Sequence, residues 1–477
     1  MQHNRRWWAL VAVSLATFMT YLDNNVVNVA LPSIQRDLHL SIEGLEWIAS
    51  AYILVLAGLL LAGGRIGDVL GMRGTFYGGL AVFTVASVVA GLAQNQEMLI
   101  GARAVQGLGA ALLTPASLAL LPALFPDPRE RGAAIGIWGG VSALALAVGP
   151  LTGGWLSEHA SWGWIFLINA PVGVVTGLLA AVTVPAVERQ RSRGLDVPGI
   201  AASSLGLFAV TWGLIEGESR GWTSAGILGA FGFALVAAIA FLVIEKRSKN
   251  PMIELGFFRL RVFTGGLVAM GLWAFSVFGI YFYTAIYLQN VLGFSPTKAG
   301  ASFVPMALLM AVTAILAPRL EARFGAGPTV ALALLLMGIA EAAIATYGEG
   351  TTYVDLLPWI LLLGVGGGMV IPLNNVIVGA LPANRAGIAS GMLNVSREVF
   401  GLLGITILGA ILTSRSNGAT GSELHRYLHG YQTAMIVATV LVVAGVPVSL
   451  WALRSMRSPA PEAAESPRWA SSPGARG

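Results

Sequence analysis

Five ionisable side chains stand inside apolar stretches long enough to cross a lipid bilayer: Asp23, Arg103, Glu341, Arg397 and Glu398. A charge at that depth is costly, so each needs a partner, a wet cavity or a role in moving charge. Asp23 and Arg103 form the strongest pair. On helices rising 1.5 Å per residue, Asp23 falls roughly 6 Å and Arg103 roughly 10 Å from the bilayer midplane, toward the same face. The length of arginine closes that gap. A neighbouring cation favours the charged carboxylate and burial favours the neutral acid, so an acid held between them is poised to load and release a proton. A static ion pair locking two helices is the competing reading.

Glu398 lies near the centre of its stretch beside Arg397. Adjacent helical residues point about 100° apart, so these two need not pair. Glu341 is a lone acid among Ala and Ile, suited to a proton, a cation or a polar groove. Glu216 falls at the end of its stretch and reads as interfacial. Aromatic residues such as Tyr21, Trp138, Trp273, Phe275, Tyr281 and Tyr283 could stack on flat apolar molecules, although each also fits a packing or interfacial role.

The elements that must position these groups follow from composition. Of 477 residues, 56% are hydrophobic and 11% charged, against about 25% charged in soluble domains. A soluble fold of this length cannot cover itself with so few charges, and the net charge of +5 needs no nucleic acid to explain it. A crossing helix takes about 20 apolar residues. Stretches 8–30, 46–64, 75–93, 98–121, 132–155, 163–184, 197–215, 225–244, 263–287, 299–317, 328–347, 356–379, 387–411 and 433–453 supply fourteen. The first run continues from Trp7 past Ala30, too long for a cleaved signal segment. With both termini cytoplasmic, 21 of the 28 Lys and Arg residues fall in cytoplasmic segments. Arg36, Arg220, Lys298, Arg415 and Arg426 lie opposite, and Arg103 and Arg397 lie within spans, as the positive-inside rule requires.

Cysteine is absent, and His3, His39, His159, His425 and His429 are scattered. Disulfides, thiolate sites and a histidine metal centre are therefore not expected. No phosphate-binding Gly-x-x-x-x-Gly-Lys-Ser/Thr loop and no HExxH segment appears, which argues against a nucleotide-driven pump and a membrane metalloenzyme. Residues 458–477, rich in Pro, Ala, Ser and Gly, read as a disordered cytoplasmic tail.

A repeat organises the spans. Gly64 to Arg73 follows span 2 and Ala317 to Gly325 follows span 10; both are short charged turns between the second and third helix of a six-helix set. The chain thus divides into an N-terminal six-helix bundle (1–190), two inserted helices (191–250), a C-terminal six-helix bundle (251–457) and the tail. Asp68 and Arg73 in the first turn could hold one conformation by contacts that break on switching, with Arg131 a neighbour that reads more simply as an anchor. Gly149, Pro150, Gly153 and Gly154 would bend span 5 and let it approach another helix closely. Gly364 to Gly368 with Pro372 would do the same for span 12.

Five segments carry a resemblance. Leu22 to Pro32 on span 1, Gly64 to Arg73, Arg103 to Ala111 on span 4, Gly149 to Gly154 on span 5 and Trp162 to Gly173 on span 6 resemble, in order, the motifs of the fourteen-helix drug:proton antiporter branch of the major facilitator superfamily. Asn25, Val69, Met72 and Gly163 depart from the usual residues, and Glu398 stands where an amide is usual. The resemblance implies an all-α polytopic membrane protein of two six-helix bundles plus two inserted helices. It implies a secondary transporter, not an enzyme, driven by the proton gradient with no cofactor. Its substrates would be small organic or amphiphilic compounds such as drugs or antibiotics, exported by a monomer in the inner (plasma) membrane. Asp23, Arg103, Glu398 and Glu341 are then the proton-coupling candidates. Asn24, Asn28, Gln106, Asn374, Asn375 and Arg397 are the candidates to line the substrate cavity. A facilitator or importer of a small metabolite on the same fold is the alternative.

Overall fold

Inside a bilayer each segment must satisfy its own backbone, which leaves helices as the structural solution for this chain. The computed structural model describes residues 2–185, 196–248, 251, 253–348, 350–381 and 386–453, and among them there is no strand. The tail and part of the segment leading to the inserted helices lie outside these residues, as does the Asp68 side chain. Helices run in the order α1 (Gln2–Leu38), α2 (Ile42–Leu70), α3 (Met72–Gly91), α4 (Gln96–Leu124), α5 (Pro128–His159), α6 (Trp164–Leu167) and α7 (Asn169–Thr183). The inserted pair is α8 (Val197–Arg220) and α9 (Ala225–Arg247). There follow α10 (Arg261–Asn290), α11 (Pro296–Ser302), α12 (Val304–Phe324), α13 (Ala326–Ile344), α14 (Tyr353–Met369), α15 (Pro372–Gly379), α16 (Ala386–Gly418) and α17 (Glu423–Ala452).

Among the described residues thirteen helical segments are long and apolar enough to cross a membrane, and α5, with 32 residues, has the length to be a fourteenth. Three crossings are broken in two: α6–α7, α11–α12 and α14–α15. The last break follows Gly364 to Gly368 and precedes Pro372, whose missing N–H cannot continue the helix. Several helices reach beyond the apolar stretches that announce them. α1 continues to Leu38 and α2 starts at Ile42, because Ser41 caps its Gly44 N–H at 3.3 Å.

Both turns of the repeat close in the same way. Gly71 (φ 99°) and Gly325 (φ 88°) each end one helix and begin the next, in backbone conformations that a side chain would strain. Their N–H groups donate to the Gly67 and Glu321 carbonyls at 2.9 and 2.7 Å. Four residues on, Thr75 and Thr329 return hydroxyl bonds to the Gly71 and Gly325 carbonyls. The match of backbone geometry is closer than the match of sequence.

Helices α1 to α7 pack chiefly on one another, as do α10 to α17, while α8 and α9 pair together and α8 rests on α2 and α16. An even number of crossings puts both chain ends on one face, here the terminal face. At the opposite, far face the two sets meet through α5 on α11, α2 on α16 and α1 on α10. The glycines of α5 work on two sides. A Cβ at Gly149 or Gly153 would lie 2.7 Å from the Asn25 Cβ or 2.5 Å from the Val26 carbonyl oxygen of α1. One at Gly154 would lie 2.2 Å from the Pro296 carbonyl oxygen, and one at Gly300 of α11 would lie 2.1 Å from that of Pro150. Glu158 completes this seam by accepting the Thr297 N–H at 2.9 Å.

These glycines should separate experimentally. Gly153→Val drives α5 from α1 and should destabilise the protein by about 1–3 kcal/mol, the usual range for overpacking, read as a lower Tm in detergent. Gly154→Val should leave Tm nearly unchanged yet hold the far face open, read as faster labelling of a thiol introduced beneath the seam.

Candidate functional site

The first half converges on Asp23. Small residues place the groups that meet there: Gly107 lets α4 touch α2, where a Cβ would lie 2.5 Å from the Tyr52 carbonyl oxygen. Gly109 lets α4 touch α3, with a Cβ 2.6 Å from the Phe83 nitrogen. One turn earlier on α4, Arg103 and Gln106 are carried into the centre of the bundle, and both are fully buried. Arg103 Nη1 pairs with Asp23 Oδ2 and also donates to Gln106 Oε1 at 2.9 Å. Asp23 Oδ1 accepts from Gln106 Nε2 at 3.0 Å and from Asn169 Nδ2 of α7 at 2.9 Å. Ser87 of α3 accepts from Gln106 at 2.8 Å. Arg103 Nε donates to the Ile48 carbonyl of α2 at 3.2 Å, and its guanidinium lies over the Tyr52 ring, 4.5 Å from the centroid.

Five helical crossings thus supply groups around one carboxylate. An acceptor-only oxygen pair with three donors is well matched as a charge. Protonating it would turn an acceptor into a donor and force these partners to rearrange. Beside it, Trp138 of α5 donates to Thr17 of α1 and Ser117 of α4 at 2.9 and 3.2 Å, a neutral polar link through the same bundle.

A small cavity lies across Tyr52 from this cluster. Its walls include Tyr21, Asn24 and Thr114 from the first half and Asn394, Arg397 and Glu398 from α16. The cavity measures about 30 Å³, far below the roughly 300–1,000 Å³ of drug-sized sites, so the halves are drawn together here. Tyr21, Asn24 and Asn28 fall on one face of α1 and are partly exposed, while Asp23, between them in sequence, is turned into the bundle. Arg397 does pair with its neighbour: its Nε and Nη2 reach Glu398 Oε1 at 3.1 and 2.8 Å. The long side chain bends back across the 100° that separates the two positions. It also donates to Tyr21 Oη at 2.9 Å, which crosses between the halves.

Other residues singled out in the sequence lie elsewhere. Gln106 belongs to the Asp23 cluster rather than the cavity wall. Glu341 is buried on α13 and bonds Ser276 of α10, inside the second half. Asn374 is partly buried, Asn375 is exposed, and neither lines this cavity. Arg73 lies over the Tyr77 ring at 5.7 Å. Glu216 accepts from Trp47 Nε1 at 3.1 Å and pairs with Arg220 at 2.8 Å near the far end of α8. Ser87, Tyr52 and Asn169 were not evident as site residues. The one available signal was Asn169, a lone amide inside the segment Trp162 to Gly173.

The chain is similar to known proteins along most of its length. The family model of the Major Facilitator Superfamily matches residues 13–405. The puromycin resistance protein pur8 of Streptomyces alboniger is 36% identical over 473 residues, covering 96% of this chain and 93% of its own length. The tetracenomycin C resistance and export protein of Streptomyces glaucescens is 36% identical, covering 86% and 77%. The multidrug resistance protein Stp of Mycobacterium tuberculosis H37Rv is 32% identical, covering 92% and 82%. Among solved structures, a bacterial homologue of the human lysosomal transporter Spinster superposes with a TM-score of 0.68 at 17% identity, covering 94% of this chain and 97% of that one. The chain belongs to the Major Facilitator Superfamily and is a multi-pass membrane transporter.

The cluster makes a stability prediction. Arg103→Ala leaves Asp23 buried without its cation and should cost about 3–5 kcal/mol, as breaking one side of a buried pair does. Adding Asp23→Asn should recover most of that loss, and thermal unfolding of the single and double variants in detergent reads both.

Proposed function

We propose that the protein is a proton-driven exporter that exchanges protons for small organic or amphiphilic molecules, antibiotics among them, by alternating access. The observation that carries this reading is the arrangement around Tyr52. One side of that residue lines the cavity between the halves, and its ring lies under the guanidinium that pairs with Asp23. A molecule entering the cavity meets the same ring that packs against the acid's partner. Substrate binding and the Asp23–Arg103 contact therefore share a wall, which is the physical basis for exchange.

In this reading the two six-helix sets are the moving halves and the far face is the outside of the cell. The plasma membrane location with both termini cytoplasmic is supported by the placement of the basic residues. Asp23 carries the coupled proton. When it is loaded, Arg103 is freed from the carboxylate, and Ile48, Gln106 and Asn169 must re-pair; that rearrangement biases the halves toward the other face. The relatives named for puromycin resistance and for tetracenomycin C resistance and export support antibiotic cargo. Tyr21 and Tyr52 offer aromatic faces for it, and Asn24, Asn394 and Thr114 offer hydrogen bonds. Arg397 and Glu398 neutralise each other, so the cavity is suited to weakly charged compounds and discriminates by which partner a substrate displaces.

Two experiments in proteoliposomes test this. With an imposed ΔpH, the wild type should drive puromycin accumulation, and Asp23→Asn should reduce it to the level of empty liposomes while substrate counterflow persists. ΔpH-driven transport unchanged in Asp23→Asn would remove that acid from coupling, and wild-type transport indifferent to ΔpH would indicate a facilitator. Glu398→Gln leaves Arg397 uncompensated and should shift relative transport of cationic against anionic compounds by about tenfold toward the anions, the equivalent of about 1.4 kcal/mol.

A further inference from the structure

We infer that Glu46 is a second proton-binding site, one that closes the outer face rather than carrying protons across the membrane. Glu46 lies one turn inside α2 and is 1% exposed. It faces the opposite half, where Tyr283 Oη of α10 is 3.0 Å from its Oε1. Gly409 of α16 makes room for both groups: a Cβ there would lie 1.9 Å from Glu46 Oε1 and 2.2 Å from Tyr283 Oη. Two helices of the second half thus clasp a carboxyl from the first.

Burial without a paired cation favours a neutral Glu46, and the hydrogen inventory accommodates it. Tyr283 Oη also lies 2.8 Å from the Ile405 carbonyl oxygen. A phenol has one hydrogen to donate, and a carbonyl can only accept. If Tyr283 donates to Ile405, the remaining contact is satisfied when Glu46 carries a proton and donates it to Tyr283 Oη. An ionised Glu46 would compete for that one hydrogen with the Ile405 carbonyl, which also belongs to the hydrogen-bond ladder of α16. The surrounding titratable groups supply no countercharge. They are Glu43 on its own helix, Tyr283 on α10 with Tyr427 of α17 behind it, and Glu216 of α8, held through Trp47 and already paired with Arg220. From α4, Gln96 packs on Gly44, and Arg103 reaches the Ile48 carbonyl of α2 but its charge is paired with Asp23. No lysine, arginine or histidine among the described residues forms an ion pair with Glu46, and a buried carboxylate without one is strongly disfavoured.

The seam therefore closes on a neutral Glu46. Opening the outer face parts α2 from α10 and α16 and wets the carboxyl, which is then free to ionise into the outer solution. Return to the closed state requires a proton from that same solution. Because the site is sealed when the inner face is accessible, this proton goes back to the side it came from. Glu46 makes closure sensitive to outer pH without adding to the exchange stoichiometry. The inference rests on the alternating-access reading but not on Asp23 as the coupling acid.

The chain's lack of cysteine provides the test. Val29 is fully buried in this seam, where its carbonyl accepts from Gln289 Nε2 of α10 at 2.7 Å. In proteoliposomes, the Val29→Cys thiol is labelled from outside with an impermeant maleimide, normalised at each pH to the denatured chain. Labelling should rise from pH 5.5 to 8.5, with a slope of at most about tenfold per pH unit for one linked proton. Glu158, the other carboxylate across this seam, does not account for such a rise. Contacts with the side chain and N–H of Thr297 and with Ser295 hold it below the usual carboxylate range, so it stays ionised throughout. Adding Glu46→Gln, which keeps the shape and donates to Tyr283 at any pH, should fix labelling at its acid value. Adding Asp23→Asn instead should leave the pH response in place. A response that survives Glu46→Gln, or labelling by that variant above the parent's at acid pH, would overturn the inference; loss of the response in Asp23→Asn alone would assign it to the coupling acid.

Discussion

The buried contact between Asp23 and Arg103 is the constraint around which the first half is organised. Two charges with no exposure lose hydration that their mutual attraction alone does not restore, so the remaining hydrogen-bonding capacity has to be met locally. Gln106, Asn169, Ser87 and the Ile48 carbonyl, from four different crossings, meet most of it, and Arg103 Nη2 alone of the pair's polar atoms is left without a hydrogen-bond partner. The close helix contacts at Gly107 and Gly109 follow from the same need, since a side chain at either position would push α4 away and take Arg103 out of reach. In the proposed cycle the structural pair and the proton-handling site are thus one object. A contact that is costly to break and satisfied only when several helices agree has two discrete arrangements rather than a continuum.

The seam at the far face follows a different economy. There many of the contacts between the halves are made on backbone: Gly154 on the Pro296 carbonyl, Gly300 on the Pro150 carbonyl, Gln289 on the Val29 carbonyl, with Glu46 on Tyr283 a side-chain contact among them. Contacts of this kind bury little apolar side-chain area and can separate without leaving large cavities behind. Within each half, by contrast, Phe76, Phe83, Phe166, Phe263 and Phe282 are fully buried. Stiff bundles joined by a shallow, glycine-lined seam are what rigid-body rocking needs. α5 belongs to both regimes, with Gly149 and Gly153 binding it to α1 and Gly154 facing its partner across the seam.

How much of this was legible in the sequence depends on the physics of each signal. Crossing helices announce themselves because apolar length is local, and Asp23 and Arg103 announce themselves because charge is rare at depth. Their common depth followed from helical rise alone. Residues whose role is set by a distant partner left little trace. Ser87 and Tyr52 are ordinary in a membrane helix, and nothing near Tyr52 in sequence indicates that Arg103 will lie over its ring. Glu46 leaves little trace because hydropathy begins span 2 at residue 46, whereas the Ser41 cap starts the helix at Ile42 and carries that acid inside. Backbone direction means that Arg397 and Glu398 need not pair, and side-chain length brings them together all the same. Gln106 shares a helix face with Arg103, and that i,i+3 spacing, rather than its polarity, put it beside the acid.

The acids differ chiefly in what surrounds them, and that difference sorts their roles more firmly than their depth does. Asp23 has a full cation and two amide donors, so its charged form is the one provided for, and adding a proton is the disruptive event. Glu398 shares its charge with an arginine at the cavity wall, where in the proposed function a substrate would compete for either partner. Glu341 has a serine and sits within one half, away from the surface that separates when the halves move; rocking alone would not change its surroundings. Glu46 has a phenol whose single hydrogen it shares with a carbonyl, in the surface that would separate in the proposed cycle. An acid can report a conformational change only if its solvation or its partners differ between the two conformations. By that criterion Glu341 is the least suited of the four to sensing which face is open, although it is as deeply buried as Asp23, and burial alone is a poor guide to which carboxyl takes part in the cycle.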